Sequence, residues 1–124
     1  MKLKILKTVL SISRLHRNSK IPFDVLQSEF FSVTKTEDEL SIVHPSGITL
    51  DSEKTESGWS GIQVVGVLDF SQTGILSSLS LSLSHSKIGI FVVSTFDMDY
   101  ILLKTDKLPA AVECLEAAGH QFLS

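Results

Sequence analysis

A single cysteine, Cys114, stands in 124 residues, so no disulfide can form within the chain, and a reducing, cytoplasmic setting is expected. No His/Asp relay surrounds that thiol, which excludes the usual way of activating it as a nucleophile. Long apolar runs are absent too: none approaches the ~20 residues needed to cross a bilayer. The start, MKLKILKTVLSISRL, is short, basic and apolar like a secretory leader. Lys4 and Lys7 interrupt it, however, and no small-residue cleavage site follows, so it reads as a first strand. Basic residues are few, 11 Lys and Arg against 14 Asp and Glu, for a net charge of −3. They gather only at Lys2 to Lys7 and at Arg14, His16, Arg17 and Lys20, which is no footprint for nucleic acid. Neither nucleic acid nor a membrane is expected as a partner.

Catalytic spacings are missing as well. The four histidines, His16, His44, His85 and His120, are scattered without a pairing motif, and Gly58-Trp59-Ser60-Gly61 lacks the spacing of a nucleophile elbow. No enzymatic activity, metal or cofactor is expected. What the chain does have is apolar character: 43% of residues are hydrophobic and mean hydropathy is +0.25, while only 20% are charged. That balance predicts an apolar interface, formed with a second copy of the chain. The length suits one domain or two very small ones.

Residues 2–15 alternate loosely, which predicts one long strand with a change of face or a bulge. After RNSK and Pro22, Phe23 to Glu29 has room for one helical turn. FFSVTKT and LSIVHP, around Glu37-Asp38-Glu39, read as a hairpin. DSEKTESG (51–58) is polar and turn-rich and marks a linker or exposed loop, the best boundary in the chain. Beyond it GIQVVGVL (61–68) is a strand and DFSQTG a turn. IGIFVVSTF (88–96) and YILLKT (100–105) are strands joined by Asp97-Met98-Asp99. ILSSLSLSLSHSK fits two patterns. Leu79, Leu81 and Leu83 alternate with serine as in a strand, whereas a helix gathers Ile75, Leu76, Leu79 and Leu83 within an arc of about 100° and leaves out only Leu81. The helix is favoured, because a strand–turn–helix–strand unit brings the flanking strands together under a crossover. DKLPAAVECLEAAG reads as a helix with Asp106 as cap, Pro109 in the first turn and Gly119 ending it. Its apolar face is Leu108, Ala111, Val112 and Leu115, with Cys114 at or near the packed side. HQFLS adds a last short strand. The second half is then β-α-β-β-α, the split order of an α+β, ferredoxin-like fold.

Three readings attach to Asp97-x-Asp99. A phosphatase of the haloacid dehalogenase type would follow the pair with a small residue and Thr or Val, and then a large parallel sheet. Here Tyr100 and a new strand follow, and no spaced carboxylates complete a metal site. A ligand clamp has more physical content. The turn DFSQTG precedes a helix N-terminus, whose N–H groups and dipole favour a carboxylate, and Gly74 permits close backbone approach. The end of IGIFVVSTF would bring Ser94, Thr95, Asp97 and Asp99 to the same place, where an acidic group meets an ammonium or guanidinium. Such a site suits an amino acid. Against it stands the plain alternative that both aspartates are solvated turn residues, which sequence physics alone leaves open.

GVLDFSQTGIL, IGIFVVSTFDMDYILL and KLPAAVECLEAAG together resemble the ACT domain, and specifically the tandem-ACT branch related to the cytosolic arginine sensors of animal cells called CASTOR. FFSVTKTEDELSIV resembles that branch as well. The resemblance implies two tandem ACT-like subdomains, residues 1–57 degenerate and strand-rich, and residues 58–124 close to a full βαββαβ unit. It implies a non-enzymatic regulatory protein that binds an amino acid or similar effector. By motif position, Ser71, Gln72, Thr73, Gly74 and Ile75 would face the ligand's main-chain groups. Thr95, Phe96 and Met98 would line its side-chain pocket, with Asp99 as acidic partner. The chain is about half as long as those sensors, so an interface between halves would come from a homodimer. The runner-up is a ligand-free interaction module of the same fold.

Overall fold

The computed structural model describes residues 1–65 and 74–123. In chain order its elements are β1 (Lys2–Ile5), β2 (Leu10–Leu15), α1 (Phe23–Leu26), β3 (Ser32–Lys35), β4 (Leu40–Pro45), β5 (Lys54–Val64), α2 (Ile75–His85), β6 (Phe91–Ser94), β7 (Asp99–Lys104), α3 (Leu108–Ala117) and β8 (Gln121–Phe122). They fall into two compact units: Thr8–Trp59, and Met1–Lys7 with the chain from Ser60 onward. β5 runs from the first unit into the second.

In the unit Thr8–Trp59 the strands lie in the order β3-β4-β2-β5. All its pairs are antiparallel, with Ser13 opposite Ile42 and Val33 opposite Ile42. The expected hairpin around Glu37-Asp38-Glu39 is β3–β4. The expected single strand 2–15 is instead two, because Leu3 to Ile5 pair with Ile62 to Val64 whereas Leu10 to Arg14 pair with Lys54 to Trp59. The chain must leave one ladder before it joins the other. Residues 51–58 also depart from the expected loop: from Lys54 onward they are strand. Their polarity reflects an edge position, where Thr55 pairs with Ser13 and Arg14 reaches Glu39 at 3.3 Å and Glu53 at 3.5 Å. One apolar cluster, Leu15, Val25, Leu40 and Ile42, holds α1 on the sheet.

The second unit orders its strands β6-β7-β5-β1-β8, with β1 antiparallel to β5 and parallel to β8. Both helices cover one face. Leu79 and Leu83 of α2, and Ala111 and Leu115 of α3, are fully buried against Leu3, Ile62, Val64, Ile101 and Leu103. At about 1.5–3 kcal/mol for each large side chain buried, this face supplies most of the unit's stability. The same packing decides the ambiguous segment 75–87: Leu79 and Leu83 point in, and Leu81, the outlier on the helical wheel, is 57% exposed. In α3, Pro109 sits in the first turn and Gly119 adopts φ +96° after the last turn, as expected. Asp106 does not cap. Thr105–Lys107 tighten into a 3-10 turn, so Lys107 takes the cap position without a side-chain bond and Leu108 N–H bonds the Thr105 carbonyl. Cys114 is half-buried and its Sγ donates to the Ser82 carbonyl of α2 at 3.1 Å. The architecture is α+β and ferredoxin-like. No helix among the described residues is long and apolar enough to cross a membrane.

Candidate functional site

The second unit's hairpin β6–β7 closes on Ser94 opposite Asp99, with Val92 opposite Ile101 two residues deeper. Side chains alternate along a strand, so Asp99 leaves the sheet on the face of Ile101 and Leu103, which α2 and α3 cover. Asp99 is half-buried there, and its Oδ1 accepts a 2.6 Å hydrogen bond from the Ser94 hydroxyl. Met98 leaves on the opposite face, where its Sδ accepts from Gln63 Nε2 at 3.2 Å. Sequence reasoning did not single out Gln63. The signal was its alternation with the fully buried Ile62 and Val64, which puts it on the sheet face away from the helices.

The turn itself is made by Thr95. Its N–H bonds the Met98 carbonyl at 2.8 Å, and its hydroxyl accepts the Met98 N–H at 3.0 Å, so the side chain takes the place of a backbone acceptor. Phe96 and Asp97 occupy the tip, and Phe96 is 79% exposed. Thr95 is therefore committed to the turn, while Asp99 and Ser94 face the side where the helices lie.

α2 begins at Gly74, whose φ of +85° is the left-handed conformation, and no side-chain cap bond is made at this end. A Cβ there would meet nothing within 4 Å, so the backbone angle rather than crowding calls for glycine. Ser78 N–H closes the first helical turn on the Gly74 carbonyl at 2.8 Å. Ile75 is half-buried and packs against the core of the unit. Ser71, Gln72 and Thr73 lie outside the described residues. Of the remaining candidates, the fold groups Ser94, Thr95 and Asp99 at one hairpin end, sets Met98 on the other face, and leaves Phe96 at the tip. Among the described residues no three His, Cys, Asp or Glu side chains converge as a metal site would require.

A family model described as ACT domain matches residues 54–117, more than half of the chain, and a second model, described as an N-terminal domain, matches residues 9–46. The crystal structure of a protein from Agobacterium tumefaciens is 41% identical over 98% of this chain and 91% of that one, with a TM-score of 0.90. A Vibrio cholerae protein of unknown function, described as a possible transport protein, is 16% identical over 91% and 85%, with a TM-score of 0.71. The ligand-free regulatory subunit of aspartate kinase from Thermus thermophilus is 9% identical over 92% and 96%, with a TM-score of 0.63. These last two show a shared fold. No curated protein matches the chain. The helix-covered split βαββα sheet and the match over residues 54–117 place this chain in the ACT domain family.

Proposed function

We propose that this chain is a non-enzymatic regulatory module whose second unit holds an amino acid or similarly small zwitterion. The observation that carries the reading is the half-buried Asp99 carboxylate, set by Ser94 on the sheet face that α2 covers. An acidic oxygen there suits an ammonium or guanidinium, and the start of α2 at Gly74 offers the complementary polarity for a carboxylate. Ser71, Gln72, Thr73 and Gly74 serve the ligand's main-chain groups in this reading, and Thr95 and Phe96 border its side chain. Ile75 supports the helix from the core, and Met98 braces the hairpin through Gln63. The regulatory role is supported by the family and by the likeness in fold to the regulatory subunit of aspartate kinase. The relation to the CASTOR-type tandem branch, the division into subdomains 1–57 and 58–124, a cytoplasmic location and assembly as a homodimer belong to the same proposal.

A thermal-shift screen against the twenty amino acids tests it. A ligand at 100 times its Kd adds about 2.7 kcal/mol, a shift of several degrees for a chain of this size. One amino acid should give that shift, and Asp99→Ala should remove it while the unliganded protein melts within a few degrees of wild type. A screen without any shift rejects the clamp. In favour of the second reading, a ligand-free assembly module, stands Phe96, 79% exposed at the hairpin tip. That reading predicts that Phe96→Ser weakens self-association and that no amino acid moves the melting point.

A further inference from the structure

The unit Thr8–Trp59 contains a cavity. Between β4 and β5, where the other unit has α3, it has only Ser46–Glu53. There lies a cavity of about 190 Å³ lined by Ile48, Thr49 and Leu50 of this stretch, and by Ser11, His44 and Thr55 of the sheet beside Ser46 and Ser57. The register puts Ser11 opposite His44, and Ser13 opposite both Ile42 and Thr55. One half of this sheet face is therefore apolar, Leu15, Leu40 and Ile42, and the other is polar. Ser11, Ser13 and His44 are 2%, 1% and 2% exposed. Buried hydroxyls cost free energy unless hydrogen-bonded, and an apolar residue at each place would fill a core more simply.

The polar half is wired in one direction. The Pro45 carbonyl can only accept, so His44 Nδ1 carries the hydrogen in their 2.9 Å bond. His44 Nε2 then accepts from the Ser13 hydroxyl at 2.8 Å, Ser13 Oγ accepts from Thr55 at 2.8 Å, and Thr55 accepts from Ser52 at 2.6 Å. Ser11 bonds Ser46 at 2.8 Å and donates to Ser57 at 3.3 Å. A hydroxyl oxygen has two lone pairs, and these bonds use one on Thr55, which lines the cavity, while Ser13 lies behind the wall and holds Thr55 and His44 in place. The wall is thus a pre-ordered array of hydroxyl groups with Ile48 and Leu50 beside it. Among the described residues no Asp, Glu, Lys or Arg lines the cavity, so neither a carboxylate nor an ammonium would find such a counter-charge on entry.

We propose that this cavity binds a small uncharged polyol, its hydroxyls exchanging bonds with the serine and threonine wall and its carbons lying on Ile48 and Leu50. The volume equals about six waters at roughly 30 Å³ each, which suits a chain of about four carbons. Erythritol is the probe, with glycine as the charged control of similar reach. In a titration of the labelled full chain followed by amide NMR, erythritol should give saturable shifts confined to Ser11 and to residues 44–50 and 55–57, and glycine should give none there. Ser11→Val and Thr49→Val should each weaken erythritol binding by about tenfold, the value of one hydrogen bond at roughly 1.4 kcal/mol. Thr49 is exposed, so its variant keeps the fold if Ser11→Val does not. Non-saturating shifts, equal shifts with glycine, or undiminished binding in Thr49→Val would overturn the proposal.

Discussion

Thr36 and Thr95 serve the two units in the same way. In each hairpin the threonine N–H bonds the carbonyl three residues on, at 2.9 Å to Glu39 and 2.8 Å to Met98, and its hydroxyl accepts that residue's N–H, at 3.2 Å and 3.0 Å. The registers correspond as well: Lys35 closes on Leu40 as Ser94 closes on Asp99. What differs is the residue pair beside the turn and the cover over the sheet. One unit ends its hairpin in Leu40, buried in an apolar cluster. The other puts a carboxylate at the same place, on a face covered by two long helices. The same backbone device thus supports packing in one unit and a candidate binding group in the other.

Core truncation breaks the comparison most strongly. Leu79→Ala removes a fully buried side chain from the larger apolar core, and should cost about 3 kcal/mol, within the usual 2–5 for such changes. Urea unfolding checks the value. Hydrogen exchange should show protection lost first on β5–β8 and later on β2–β4, because this side chain packs in the second unit's core. Smaller is the loss of either turn hydroxyl. Thr95→Val leaves the Met98 N–H without its bond and should cost about 1 kcal/mol, whereas Thr36→Val frees the N–H groups of both Asp38 and Glu39 and should cost somewhat more, as measured by denaturant midpoint. A larger cost for Thr95→Val would mean that the extra Asp38 bond contributes nothing to the first turn. The smallest effect concerns His120, whose pKa is lowered from 6.5 by burial and then by the positive Met1 amino group. The folded chain therefore binds this proton less readily than the unfolded chain. Its contribution to stability is full above pH 6.5 and falls as the pH drops below that value, so His120→Gln should flatten the pH dependence below about pH 6.5.

Much of this was legible in the sequence because it depends on local pattern. Leu79 and Leu83, four apart, marked the buried stripe of α2, and Leu81 marked its open side. Pro109 and Gly119 bracketed α3, and the acidic tripeptide Glu37-Asp38-Glu39 sat at a real turn. What stayed hidden depends on partners distant in the chain. Nothing local pairs Leu3 with Val64, so the break between β1 and β2 could not be read. Lys54 to Glu56 look like loop until Arg14 to Ile12 supply their ladder. In the sequence His44 has no pairing motif, and only register sets it opposite Ser11 and within reach of Ser13. In the candidate site the Asp99 position was readable from the motif, while its separation by face from Met98 required the contacts with Gln63 and the helix-covered core.

Amide NMR mapping of the amino acid that gives the largest thermal shift tests the central claim most directly, because it tells the residues of one unit from those of the other. The account predicts saturable perturbations at 74–78 and 94–99 that vanish in Asp99→Ala. Perturbations confined to 44–57, or unchanged in Asp99→Ala, would contradict it.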